Sequence, residues 1–109
     1  MLTLTAEQVQ LLRRMIGQGF EVVAFPMFER YIGVRKGNCA VLLDPAPGTR
    51  FRFYTAPCYL VESHLSACIE QDGRQWFVWK GKRVEATPER MAELARFRQE
   101  LERLLEGSV

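Results

Sequence analysis

Apolar and polar positions alternate along this chain with a period that changes twice, which divides it into a helix, a long run of short strands and a second helix. In "LTAEQVQLLRRMIGQG" (residues 4–19), Val9, Leu12 and Ile16 recur at i, i+3 and i+7, the spacing of an apolar stripe on an α-helix. Thr5 is placed to cap the N-terminus, and Gln8 three residues on completes a capping box. Leu4 with Val9 has the spacing of a hydrophobic staple. Gly17 or Gly19 can supply the left-handed residue that ends this helix.

From Phe20 to about Ala86 the period drops to two, and β-rich runs are punctuated by turn residues. "EVVAF" and "YIGVRK" are the first expected strands. "CAVLLD" follows across Gly37-Asn38, a fit to a two-residue hairpin loop. Such a loop pairs Lys36 with Cys39 and Val34 with Val41, so Ile32, Val34, Cys39, Val41 and Leu43 share one face, expected to be core. "DPAPGTR" is a loop. "FRFYT" is a short strand, and "CYLVESHLSACIEQ" fits both strand and helix spacing. The strand reading is preferred, because Asp72-Gly73 then makes a tight hairpin turn into "QWFVWK". A second tight turn, at Gly81-Lys82, returns the chain through "RVEA".

Thr87 then caps a final helix, with Pro88 at its first position and Glu89 near the positive end of its dipole. Met91, Leu94, Ala95, Phe97, Leu101, Leu104 and Leu105 occupy roughly half its circumference. Arg96 with Glu100 and Arg98 with Glu102 are opposite charges at i, i+4. The expected architecture is a single α+β domain over residues 1–109: an antiparallel β-meander of about 5–7 strands, flanked by an N-terminal and a C-terminal helix. Two helices can cover one face of such a sheet, and the other must tolerate water or find a partner.

Composition changes this picture little. The 109 residues are 48% hydrophobic and 26% charged, as expected for one folded unit, and the 11% aromatic content predicts an aromatic core. The N-terminus lacks a basic region followed by an apolar one, and the longest apolar run, "VVAFPMF", is too short to span a membrane. Three cysteines at loose spacings do not fit a disulfide framework, so a reducing, cytoplasmic setting is expected.

Charge is more informative when divided along the chain. Residues 30–83 hold nine Lys or Arg against four acids, while the remainder holds six against nine. Eleven of the twelve aromatics lie between Phe20 and Trp79, so the basic segment is also the aromatic one. Bases stack on aromatic rings while cations meet phosphates, which opens single-stranded nucleic acid or another anionic ligand as an alternative partner. No RNA-binding motif supports it.

Catalytic chemistry finds no footing. Cys58, His64 and Cys68 lack the short knuckle spacing of a zinc site, and on an extended strand His64 and Cys68 lie roughly 13 Å apart at about 3.3 Å per residue. Cys39 and Cys68 are expected to be small core residues. Ser63 and His64 are adjacent without a third orienting group, Glu62 and Glu70 read as surface carboxylates, and no phosphate loop is present. No cofactor is expected, and a metal- or thiol-dependent enzyme is only a third reading.

The residues singled out lie in "RQWFVWKGKR". With Asp72-Gly73 and Gly81-Lys82 as loops, Cys68, Phe77, Trp79, Val84 and Ala86 share one face. Ile69, Trp76 and Val78 share the other, ringed by Arg74, Lys80, Arg83 and Glu85. The first face reads as structural. The second, an apolar centre inside a charged rim, is built as interaction patches are. The biological role is not legible in these residues. The leading expectation is a protein-interaction module that homodimerises through this face, or that receives another protein on it.

Overall fold

The computed structural model describes residues 3–106. The first helix, α1 (Ala6–Gly17), begins with the expected capping box: Gln8 N donates to the Thr5 hydroxyl, and Thr5 N donates to Gln8 Oε1. It ends in a Schellman motif, with Gly19 at φ 95°, Gly19 N bonded to Ile16 O and Phe20 N bonded to Met15 O. The buried face differs from the expected stripe. Gln8, Leu11 and Met15 are buried, Leu4 and Leu12 pack at the edge of the core, and Val9 and Ile16 are exposed.

Burial of a glutamine explains that rotation. Gln8 is 1% exposed, and its Nε2 donates to Pro45 O at 2.7 Å and Arg50 O at 3.2 Å. Thr5 Oγ1 donates to Gly48 O at 2.6 Å. The residues that cap the helix therefore also fasten the 45–50 loop, and each buried polar atom of Gln8 has a partner. A hydrophobicity pattern scores Gln8 as polar and so misplaces the face.

Five short strands form the first sheet: β1 (Glu21–Val23), β2 (Ile32–Lys36), β3 (Cys39–Asp44), β4 (Arg52–Phe53) and β5 (Cys58–Tyr59). All pairs are antiparallel, in the order β1-β2-β3, with β4 and β5 both on the far edge of β3. Leu43 faces Phe53 at one end of that edge and Cys39 faces Tyr59 at the other, so β4 and β5 are two halves of one interrupted strand. The β2–β3 register is the expected one, Lys36 opposite Cys39 and Val34 opposite Val41. Ile32, Val34, Cys39, Val41 and Leu43 join Leu11, Met15, Phe20, Phe51, Phe97, Leu101 and Leu105 in the core under the helices.

The opposite face of this sheet is not left to water. Gly33, Ala40 and Leu42 are buried there. The segment after β1 folds back so that a Cβ on Gly33 would overlap Val23 O and fall 2.7 Å from the Phe25 ring. Glycine is required at that crossing because the chain passes over it. Tyr31 and Tyr54 stack nearby in sequence to β2 and β4, with ring centroids 3.8 Å apart.

A second sheet holds β6 (Ala67–Gln71), β7 (Arg74–Trp79) and β8 (Lys82–Glu85) in that order. Residues 58–71 thus hold no helix but the two strands β5 and β6, with a tight turn between them at Glu62-Ser63 where Val61 and His64 exchange hydrogen bonds. The α+β expectation holds. The strands divide between two sheets, and counting β4 and β5 as one gives seven.

The last helix, α2 (Pro88–Leu105), is capped by Thr87, whose hydroxyl accepts from Arg90 N at 3.3 Å. Phe97, Leu101 and Leu105 are buried and Leu94 and Leu104 pack against the core, while Met91 and Ala95 are exposed. Arg98 pairs with Glu102 at 3.4 Å as the spacing predicts. Glu100 instead meets Lys36 at 2.8 Å, a tertiary partner that replaces the local one. The molecule measures 47 × 30 × 20 Å.

Two substitutions test this account by urea denaturation. Gly33→Ala is expected to cost about 1–3 kcal/mol through overpacking. Gln8→Ala is expected to cost about 1–3 kcal/mol, by leaving the carbonyls of Pro45 and Arg50 without their donor. The exposed neighbour Gln10→Ala is expected to stay within about 0.5 kcal/mol of the parent.

Candidate interaction surface

The second sheet is shaped by its turns. Asp72-Gly73 and Lys80-Gly81 both have two positive φ angles, 55° and 75° in the first and 45° and 78° in the second. That backbone matches the right-handed twist of a hairpin. In β6–β7 the expected register holds: Ile69 opposes Trp76, Cys68 opposes Phe77 and Ala67 opposes Val78.

The second turn is one residue earlier than expected, at Lys80-Gly81 rather than Gly81-Lys82. Trp79 therefore opposes Lys82, Phe77 opposes Val84 and Trp76 opposes Glu85. The pairing shifts by two residues, so every side chain keeps its expected face. Glycine at the second turn position accounts for the choice, since it takes the φ of 78° without a Cβ penalty.

The Phe77 face is structural. Phe77 is 1% exposed and stacks on Tyr59 of the first sheet at 5.3 Å. Trp79 stacks on His64, with ring centroids 3.6 Å apart and planes 8° off parallel. Lys82 reaches Glu62 at 3.0 Å. These contacts clamp the Glu62-Ser63 turn, two non-glycine residues at φ 48° and 66°, onto the second sheet. Arg90 adds a bond from its guanidinium to Glu85 O at 2.8 Å, tying α2 to the end of β8.

On the opposite face Trp76 and Val78 are half-buried and Ile69 is 41% exposed. The Arg83 guanidinium lies 4.1 Å from the centre of the Trp76 ring and donates to Gln71 Oε1 at 3.2 Å. Arg74 meets Glu85 at 3.8 Å. Trp76 Nε1 is buried without a hydrogen-bond partner. Of the six residues proposed from the sequence, Ile69, Trp76, Val78, Arg74 and Arg83 are brought together here. Lys80 is not: it occupies the turn, with its Nζ 5.6 Å from the Trp79 ring.

The cysteines do not converge. Cys39 is buried in the core, Cys58 is half-buried beside Ala40, and Cys68 is exposed on β6 rather than part of the core. The expectation for Cys68 fails because all five residues of β6 are exposed, so the strand lies outside the core. Among the described residues, no three or more His, Cys, Asp and Glu side chains are grouped to hold a metal ion. Among them also, no helix is long and apolar enough to cross a membrane.

Sequence reasoning missed the His64–Trp79 stack and an aromatic surface around Tyr31 and Tyr54. It missed as well Met27, 89% exposed at φ 72° in the turn closed by the bond from Phe28 N to Phe25 O. The Pro26-Met27 step was the available signal. Comparison with protein-family models, with curated proteins and with solved structures finds no match, so function must be argued from this geometry.

Thiol chemistry checks the burial pattern. Desolvation pushes the Cys39 thiol up to about 12, and burial also raises Cys58. Because the folded value of Cys39 lies above that of the unfolded chain, its contribution to stability is complete below pH 9 and disappears as pH rises towards about 12. Titration of native protein with a thiol reagent at pH 8 is expected to modify Cys68 first and Cys39 only on unfolding.

Proposed function

We propose that this chain is a small protein-interaction module that self-associates through its second sheet, with the Trp76 face as contact surface. The observation that carries this reading is an aromatic and aliphatic centre, Trp76, Val78 and Ile69, on a sheet face that is rimmed by Arg74, Arg83 and Glu85 and leaves Ile69 41% exposed. Patches with a desolvatable aromatic anchor and a polar rim are typical of protein contacts. Closed two-fold dimers are the commonest homo-oligomers. Three free cysteines accord with a cytoplasmic setting.

The charge arrangement favours protein over nucleic acid as partner. Of the nine cations in residues 30–83, Arg35, Lys36, Arg52, Arg74 and Lys82 each face a carboxylate within 3.8 Å. Arg83 lies over the ring of Trp76 and His64 over that of Trp79, so each tryptophan already has one face occupied. A protein surface can bury the Arg83–Trp76 pair as it stands, and such a cation–π contact strengthens on desolvation.

Sedimentation equilibrium from about 5 to 500 µM tests the reading. The wild type is expected to dimerise, and Trp76→Glu is expected to weaken association at least tenfold while retaining the native circular dichroism. A wild type that stays monomeric throughout overturns it.

A further inference from the structure

Among the described residues the two sheets have four outer edges, and three of them are short, interrupted or lined with cations, devices that discourage pairing with another chain. β1 has three residues. The β4–β5 edge is interrupted between Phe53 and Cys58. β8 begins Lys82-Arg83. β6 has none of these: its five residues, Ala-Cys-Ile-Glu-Gln, include no lysine, arginine or proline, pair in unbroken register with β7, and are all exposed.

Hydrogen-bond alternation identifies the groups this edge leaves free. Ala86 N bonds to Gln75 O, so the backbone groups of Gln75 point towards β8 and those of Trp76 towards β6. Ile69, opposite Trp76, then turns its N–H and C=O inward, as do Ala67 and Gln71. Cys68 and Glu70 turn theirs outward, to a side where, among the described residues, the sheet has no further strand.

We propose that this edge is completed by β6 of a second copy, antiparallel about a two-fold axis at Ile69, so that two three-stranded sheets become one of six strands. The inference rests on the self-association proposed above and moves its contact from the Trp76 face to the strand edge beside it, where Ile69, a residue of that face, reaches the axis. The free groups of Cys68 in one copy pair with those of Glu70 in the other, making four new hydrogen bonds by the antiparallel pattern. Ile69 meets its own equivalent on the axis, and Ala67 lies opposite Gln71. Length and charge select this register: the axis at Ile69 pairs all five residues of β6, one at Cys68 pairs only residues 67–69 within the strand, and one at Glu70 sets two carboxylates directly opposite, which is destabilising. Ile69 lies on the Trp76 face, so the two faces join into one apolar strip running Trp76, Ile69, Ile69, Trp76 across the axis.

The contact is small. Five residues of edge and their side chains fall below the roughly 1,200–2,000 Å² of a standard interface, which predicts a dimer of micromolar rather than nanomolar strength. A six-stranded sheet with one extended apolar face also gives the module a larger surface on which to receive another protein than either copy has alone.

Residue-resolved amide exchange of the unmodified protein, at concentrations where sedimentation shows monomer and dimer, tests the geometry. The amides of Cys68 and Glu70 are expected to slow at least tenfold in the dimer. Those of Ala67, Ile69 and Gln71, already bonded to β7, change less. In a Cys68→Ser background, Ile69→Cys is expected to form a disulfide-linked dimer on mild oxidation, because directly opposed, non-hydrogen-bonded residues sit about 4.5 Å apart at Cα. Gln71→Cys, about 13 Å from its equivalent in this register, is not. A dimer whose Cys68 and Glu70 amides still exchange freely overturns the edge pairing and leaves association through the Trp76 face standing. A cross-link at Gln71→Cys in place of Ile69→Cys overturns the register. A protein monomeric up to about 500 µM overturns both this inference and the proposed function.

Discussion

Burial of β3 on both faces is the constraint from which the arrangement of the other elements follows. From Cys39 to Leu43 no residue is more than 1% exposed. The backbone groups of such a strand need partners inside the protein, and β3 pairs with β2 on one edge and with the split pair β4 and β5 on the other. Covering one face takes both helices. On the other face the chain returns over Gly33 with the ring of Phe25, within residues 24–31, which have no regular structure. Gln8 completes the enclosure by holding the loop that leads from β3 to β4.

That enclosure uses up the covering elements. α1 and α2 lie over the first sheet, and the second sheet is held by side contacts instead: Phe77 on Tyr59, Trp79 on His64, Lys82 with Glu62, and Arg90 with the carbonyl of Glu85. Of these, the Lys82 pair is exposed on both sides and contributes little. The aromatic contacts carry the attachment. One face of the second sheet is therefore committed to the fold, and its other face and the β6 edge are what the molecule presents to its surroundings.

The site was partly legible in the sequence because strand parity survives errors in turn placement. Asp72-Gly73 defined the β6–β7 register correctly. The turn after Trp79 was misplaced by one residue, yet the resulting two-residue shift left Trp76 and Phe77 on their expected faces. Only Lys80, which the true turn absorbs, changed its association. Cys68 failed for a different reason: parity assigns a face, and whether anything covers that face depends on elements distant in the chain.

Local sequence determined the features whose energetics are local. The capping box of Thr5 and Gln8, the Schellman turn at Gly19, Pro88 behind the Thr87 cap and the two glycine hairpins follow from groups within a few residues of each other. Tertiary structure alone decided which stripe of α1 is buried, because Gln8 gains partners in a loop some 40 residues away. It likewise decided that Glu100 meets Lys36 rather than Arg96, and that the strands divide into two sheets. The physical reason is the same in each case. Hydrogen bonding and backbone torsion act between neighbours in sequence, whereas desolvation depends on what the rest of the chain brings alongside.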